Sequence, residues 1–203
     1  TGWEVMGVRV PDMRTTVKAL KKENPAVTLD DVLELIDFGF REQSREVALS
    51  GIFWLTTMKR ELDLALWPLV ERWVEQLTDW EMCDQLATGV AAVIVSQNLM
   101  LVDDLVYWAR SSNQWRRRFA AATATALNQK GRAHVAETLR ICAELMGEET
   151  PIVCKAVGWA LREACKHDET AVFEFLLGWQ GKGNPRIIRE GAAKLTAARR
   201  AKL

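Results

Sequence analysis

The sequence predicts an all-α fold, a right-handed superhelical solenoid of paired helices. Helix start and stop signals recur along the chain, and no alternating strand pattern does. A faint internal period adds to this. Ala48, Ala120, Ala156 and Ala192 are spaced by 72, 36 and 36 positions, and Asp84 fills the remaining slot of that ladder. A small residue at a fixed phase lets one helix of each pair approach its neighbour closely, which is how stacked helical hairpins bury a continuous core.

The elements follow in order. Pro11 suits a first helical position ahead of "DMRTTVKALKKE", and Thr28 followed by Asp30 and Asp31 reads as an N-cap with acidic residues in the first turn. Thr150 and Pro151 open "TPIVCKAVGWALREACK" in the same way. Breaks fall near Asn24–Pro25, Ser111–Asn113, Gly147–Thr150 and Gly181–Pro185, giving about ten helices of roughly 10 to 18 residues. Trp54, Trp67, Trp73 and Trp179 lie within apolar helical stripes and are assigned to the core, while Glu71 and Glu75 read as a solvated face.

A chain of 203 residues, 49% hydrophobic, can bury a substantial core as a single domain over residues 1–203. The longest apolar run, Gly89 to Val95, is far short of the roughly 20 residues a spanning helix needs, and no signal region opens the chain. A soluble, cytoplasmic protein with no membrane association is expected. Cys83, Cys142, Cys154 and Cys165 include no CxxC pair, and His134 and His167 lie 33 positions apart. Buried free thiols are therefore expected, with no metal. "GWQGKGNPR" fails the spacing of a phosphate loop, but offers backbone amides, Lys182 and Arg186 to a polyanion.

Net charge is zero, yet the total hides a gradient. Residues 1–100 hold 10 Lys and Arg against 16 Asp and Glu, net minus six; residues 101–203 hold 17 against 11, net plus six. Such an asymmetry fits two differently solvated surfaces or a basic face for phosphates.

The stretch "LTDWEMCDQLATGVAAVIV" places an acid inside an apolar segment. If the second helices line the inner wall of a curved stack, Asp84 faces the groove where other repeats place alanine. Trp80, four positions before it, and Trp159, three after the slot at 156, share that phase. Between these repeats, Trp115 precedes Arg116, Arg117 and Arg118, whose guanidinium forks match phosphate oxygens. Helical phase points to Arg117, since Arg45 and Arg189 share its slot.

"GVRVPDMR", "DWEMCD", "WRRRFA" and "KAVGWALREACK" together resemble the AlkD-type DNA alkylation repair glycosylases, built from HEAT-like helical repeats, over about Gly7 to Leu195. The resemblance implies a monomeric, cofactor-free glycosylase that removes cationic bases such as 3-methyladenine and 7-methylguanine from duplex DNA. It implies Trp80 and Trp159 as cleft tryptophans, Asp84 as the catalytic carboxylate and Arg118 as the phosphate-contacting arginine, with Arg117 kept as second candidate. Glu81 and Cys83 depart from the residues the family often carries there. The family also usually has a further helical segment before the glycine-proline block, so a trimmed or partly disordered terminus is expected ahead of Thr1. A non-catalytic DNA-binding relative and a protein-interaction scaffold are the competing readings.

Overall fold

The computed structural model describes residues 2–203, and every regular element in it is helical apart from an isolated bridge between Glu4 and Ser44. The chain separates into two compact units, one ending at Ile94 and the other running from Val95 to Leu203.

The first unit contains α1 (Val10–Glu23), α2 (Leu29–Arg41), α3 (Arg45–Leu55), α4 (Trp67–Glu75) and α5 (Trp80–Leu86). A π-helical turn, Ala87–Ala91, follows α5, and α6 (Ala92–Gln97) contains the unit boundary. The capping residues act as the sequence predicts. Pro11 lies in the first turn of α1, and Thr28 with Asp31 forms a capping box: the Thr28 hydroxyl accepts from the Asp31 N–H while the Asp31 carboxylate accepts from the Thr28 N–H at 2.8 Å. These hydrogen bonds lower the Asp31 pKa.

Two reciprocal glycines set the distance between α2 and α3. A Cβ added to Gly39 would stand 2.4 Å from the Ala48 backbone nitrogen, and one added to Gly51 would stand 2.6 Å from Ile36 Cγ1. Only hydrogen fits at either crossing. Helix α4 is tied to α2 by Asp37, which accepts from Trp73 Nε1 at 2.6 Å and pairs with Arg72 at 2.6 Å. Phe40 stacks on Trp73 and meets Trp3 in a T-shaped contact.

The second unit contains α7 (Val102–Ala109), α8 (Gln114–Ala126), α9 (Val135–Leu145), α10 (Pro151–Cys165), α11 (Glu169–Trp179), α12 (Pro185–Gly191) and a short α13 (Ala197–Arg200). Helix α10 packs against both α8 and α12. Glycines again set the closest crossing: a Cβ on Gly158 would meet the Glu190 side chain at 2.7 Å, and one on Gly191 would meet Leu161 at 2.8 Å. Arg110 joins α7 to α9 through Glu144 at 2.7 Å. All four predicted breaks separate helices.

Several helices are shorter than the sequence suggests. Single 3-10 turns at Leu64–Leu66 and Leu99–Leu101 precede α4 and α7, and the π turn interrupts the run from Trp80 to Gln97. Hydrophobic spacing does not distinguish these windings from α-helix. Trp54, Trp67 and Trp73 are buried as expected, but Trp179 is half-exposed. It ends α11 with its ring tilted against Phe175, centroids 6.4 Å apart, and Lys182 Nζ 5.5 Å from its ring centroid. The four cysteines are buried free thiols, and burial pushes Cys142 up to about 12, so it is a thiol at neutral pH.

Candidate functional site

The ladder slot is a packing position. Ala48 and Ala120 are fully buried, Ala156 and Ala192 nearly so, and Asp84 is 9% exposed. This corrects the expectation that the slot opens on a groove: Ala48 is where α2 comes closest, so the small residue serves the helix crossing. Asp84 is thus an ionisable group at a site that elsewhere takes a methyl group. Trp80, one helical turn earlier, is 52% exposed and presents its indole at the surface.

Helix α5 is positioned from its N-terminus. Asp79 caps it, one carboxylate oxygen accepting from the Glu81 and Met82 N–H groups at 3.0 and 3.1 Å. Arg45, in the first turn of α3, lies 3.5 Å from Asp79 and 3.8 Å from Glu81, holding the cap in place. Its neighbour Glu46, 3% exposed, accepts from the Met6 and Gly7 N–H groups at 3.0 and 3.1 Å. Gly7 has φ of 76°, a left-handed conformation that glycine adopts without strain. "GVRVP" is thereby fastened to the residue pair that also secures α5. From α1, Arg14 donates to Gln85 Oε1 at 2.6 Å and lies 4.3 Å above the Phe53 ring. On the other side of Asp84, the Thr88 hydroxyl donates to the Asp84 carbonyl at 2.7 Å as the π turn begins. Such widened turns are frequent at functional sites.

The second unit repeats this device at Arg117. Its guanidinium donates to Glu148 at 2.6 Å, to the Ser111 and Ser112 carbonyls at 2.8 and 2.9 Å and to the Thr150 hydroxyl at 3.2 Å. Glu148 in turn accepts from the Thr150 N–H at 2.7 Å, at the start of α10. Burial alone would raise the Glu148 pKa, but hydrogen bonds from Arg117 and Thr150 outweigh it and hold the carboxylate below the ordinary range. Arg45 and Arg117 occupy the same repeat phase and do the same work: each grips an acid at the head of the helix two further along the chain. Arg117, which helical phase favoured for phosphate, has its charge committed to Glu148.

Arg118 is 5% exposed and donates to the Ile152 carbonyl, joining α8 to the first turn of α10. Arg116 lies 5.3 Å from the Trp108 ring. Trp115 is half-buried, with its N–H on the N-cap Asn113. Trp159 is half-buried on α10, directly after the glycine that admits α12. Nearby, Glu190 is held between Arg162 at 3.7 Å and Arg186 at 2.9 Å, and hydrogen bonding to Glu190 raises the Arg186 pKa. Lys182 is exposed beside Trp179. The "GWQGKGNPR" amides do not face outward as expected. The Lys182 and Gly183 N–H groups donate to the Trp179 carbonyl, and that of Asn184 donates to Met146. Sequence reasoning missed Arg14, Glu46 and Glu148, whose partners lie 31 to 71 positions away. The Arg45–Arg117 phase match was the available signal.

Helices at a common spacing, glycine-set crossings and an acid in an alanine slot define an all-α protein with one chemically distinctive helix. The chain belongs to the DNA alkylation repair enzyme family, whose model matches residues 1–195. Its fold is also that of a solved protein from Enterococcus faecalis, described as a predicted DNA alkylation repair enzyme. The two share 20% sequence identity with a TM-score of 0.78, over 96% of this chain and 90% of that one. No curated protein matches the chain.

Proposed function

We propose that this protein is a DNA glycosylase that hydrolyses the N-glycosidic bond of cationic alkylated purines in duplex DNA, acting as a monomer. One observation carries the reading. Within a DNA repair family, Asp84 puts a carboxylate where the other repeats put alanine, one helical turn from an indole that is half open to solvent.

The chemistry asks for little more. Alkylation at N3 of adenine or N7 of guanine makes the base cationic and weakens its bond to the deoxyribose. When the bond breaks, its electron pair leaves with the base, which departs neutral, and positive charge builds on the sugar. A fixed carboxylate stabilises that charge and accepts a proton from the water that adds to the anomeric carbon. An indole face attracts a cationic base more than a neutral one. Asp84 is assigned the first role and Trp80 the second. In the second unit, Trp159 is assigned to lesion binding and Arg118 to a DNA phosphate.

Release of free 7-methylguanine from methylated duplex DNA, followed by chromatography, tests this. Asp84→Asn should fold and bind DNA but lose roughly 10²- to 10³-fold in release rate, the usual effect of removing one transition-state stabilising group. Full release by that variant removes Asp84 from the mechanism. Salt-dependent DNA binding with no release by the wild-type protein selects the non-catalytic reading.

A further inference from the structure

The acidic first unit carries a basic track that the proposed chemistry does not use. Arg14, Lys18, Lys21 and Lys22 stand at i, i+4, i+7 and i+8 of α1, which places them along one side of the helix. All four are exposed. The track runs beside α3: Arg14 lies over Phe53, and Lys21 Nζ donates to the Thr57 hydroxyl at 2.7 Å, just beyond the end of α3. That bond brings the next two cations alongside, for Lys21, Thr57, Met58, Lys59, Arg60 and a single acid, Glu61, line one shallow hollow. A second hollow is lined by Thr15, Lys18, Lys21 and Lys22.

Arg14 and Lys21 each make a tertiary contact, but the other cations of the track are not bound into the fold. Among the described residues, Lys18, Lys22, Lys59 and Arg60 make no ion pair, in contrast to Arg45 and Arg117, which are bound into the fold. Glu23 and Glu61 flank the track and are outnumbered. Two further facts indicate what it meets. Its head, Arg14, donates to Gln85, the residue next to Asp84, so the track starts at the candidate catalytic helix. From Arg14 to Lys22 it then extends about 12 Å along α1, the length of three to four base pairs of duplex.

We propose that this track is a second duplex-DNA contact, taking the phosphate backbone that flanks the lesion; the proposal rests on DNA being the substrate. It supplies phosphate affinity from the half of the chain whose net charge would otherwise repel DNA. Flexible lysines suit this task, because a point charge follows the backbone without reading sequence.

The test is binding of a short undamaged duplex by fluorescence anisotropy, titrated over roughly 50 to 200 mM salt, for wild type and for the triple variant Lys18→Gln, Lys22→Gln, Lys59→Gln. All three positions are exposed, so the variant should keep the wild-type circular dichroism and melting temperature. Loss of three phosphate contacts should flatten the slope of log affinity against log salt by about two to three. Base release from methylated duplex is measured on the same two proteins. An unaltered slope overturns the proposal, as does a variant that loses binding to phosphatidylserine vesicles but not to duplex. A flattened slope in a protein that releases no base keeps the track and removes the glycosylase reading; normal release with an unaltered slope does the reverse.

Discussion

Replacing Glu46 with glutamine removes a charge and changes almost nothing in shape. In the native protein the carboxylate spends both oxygens on backbone donors, Met6 at 3.0 Å and Gly7 at 3.1 Å, and lies 3.5 Å from Arg45. A glutamine oxygen can accept only one of those donors, and its amide turns an N–H toward the other. Hydrogen bonds to charged groups contribute about 1.5 to 3 kcal/mol each, and the surviving bond is weakened by the loss of charge. Two features trim the loss. Met6 and Gly7 are exposed, so water can satisfy the displaced N–H, and Arg45 keeps Asp79 and Glu81 as partners. The expected destabilisation is therefore about 2 to 3 kcal/mol. For a chain of this size that lowers the melting midpoint by roughly 4 to 12 °C, measurable by calorimetry and by the urea midpoint. Proteolysis ahead of Val10 should accelerate as well. A variant within about 0.5 kcal/mol of wild type would refute the reasoning, because it would mean that water already does what the carboxylate is credited with.

Two further outcomes follow from the crossings and from Glu148. Gly39→Ala should cost about 2 kcal/mol or more despite alanine's better helix propensity, since the obstacle is the Ala48 backbone; Gly178→Ala in α11, where an added Cβ meets nothing within 4 Å, should gain up to about 1 kcal/mol, and urea midpoints that reverse this order would contradict the packing argument. The Glu148 pKa is lowered on folding, so its stabilising contribution is present above the unfolded value of 4.5 and disappears as pH falls through the lower folded value. The difference in melting temperature between wild type and Glu148→Gln should accordingly be largest near neutrality and shrink below about pH 4.5; a constant difference would detach Arg117 from that role.

Much of this architecture is legible in the sequence because it is local. Thr28, Asp31, Pro11 and Pro151 act within a few positions of themselves, and the four breaks depend on residues that cannot continue a helix. The ladder was legible too, but its direction was not: a recurring alanine indicates a close approach without indicating which neighbour approaches. Gly39, on the facing helix, held that information. The arginine run shows the other limit. Adjacent arginines look alike in sequence, and only the tertiary partners, Trp108 for Arg116, Glu148 for Arg117 and Ile152 for Arg118, tell them apart. The roles proposed for Asp84, Trp80, Trp159 and Arg118 rest on the family resemblance, and the charged clasp at Glu46 had no local signature at all.

The polar links inside each unit mostly join positions about one repeat apart: Trp73 to Asp37 across 36, Arg110 to Glu144 across 34, Asn184 to Glu148 across 36. Such wiring is modular. A hairpin in the middle of the series depends on the one before and the one after and on little else, so inheritance can add or drop a whole hairpin, mending only the two seams. The helix bearing Asp84 is less replaceable, since Arg14 reaches it from 71 positions away, and a deletion between them would unseat it.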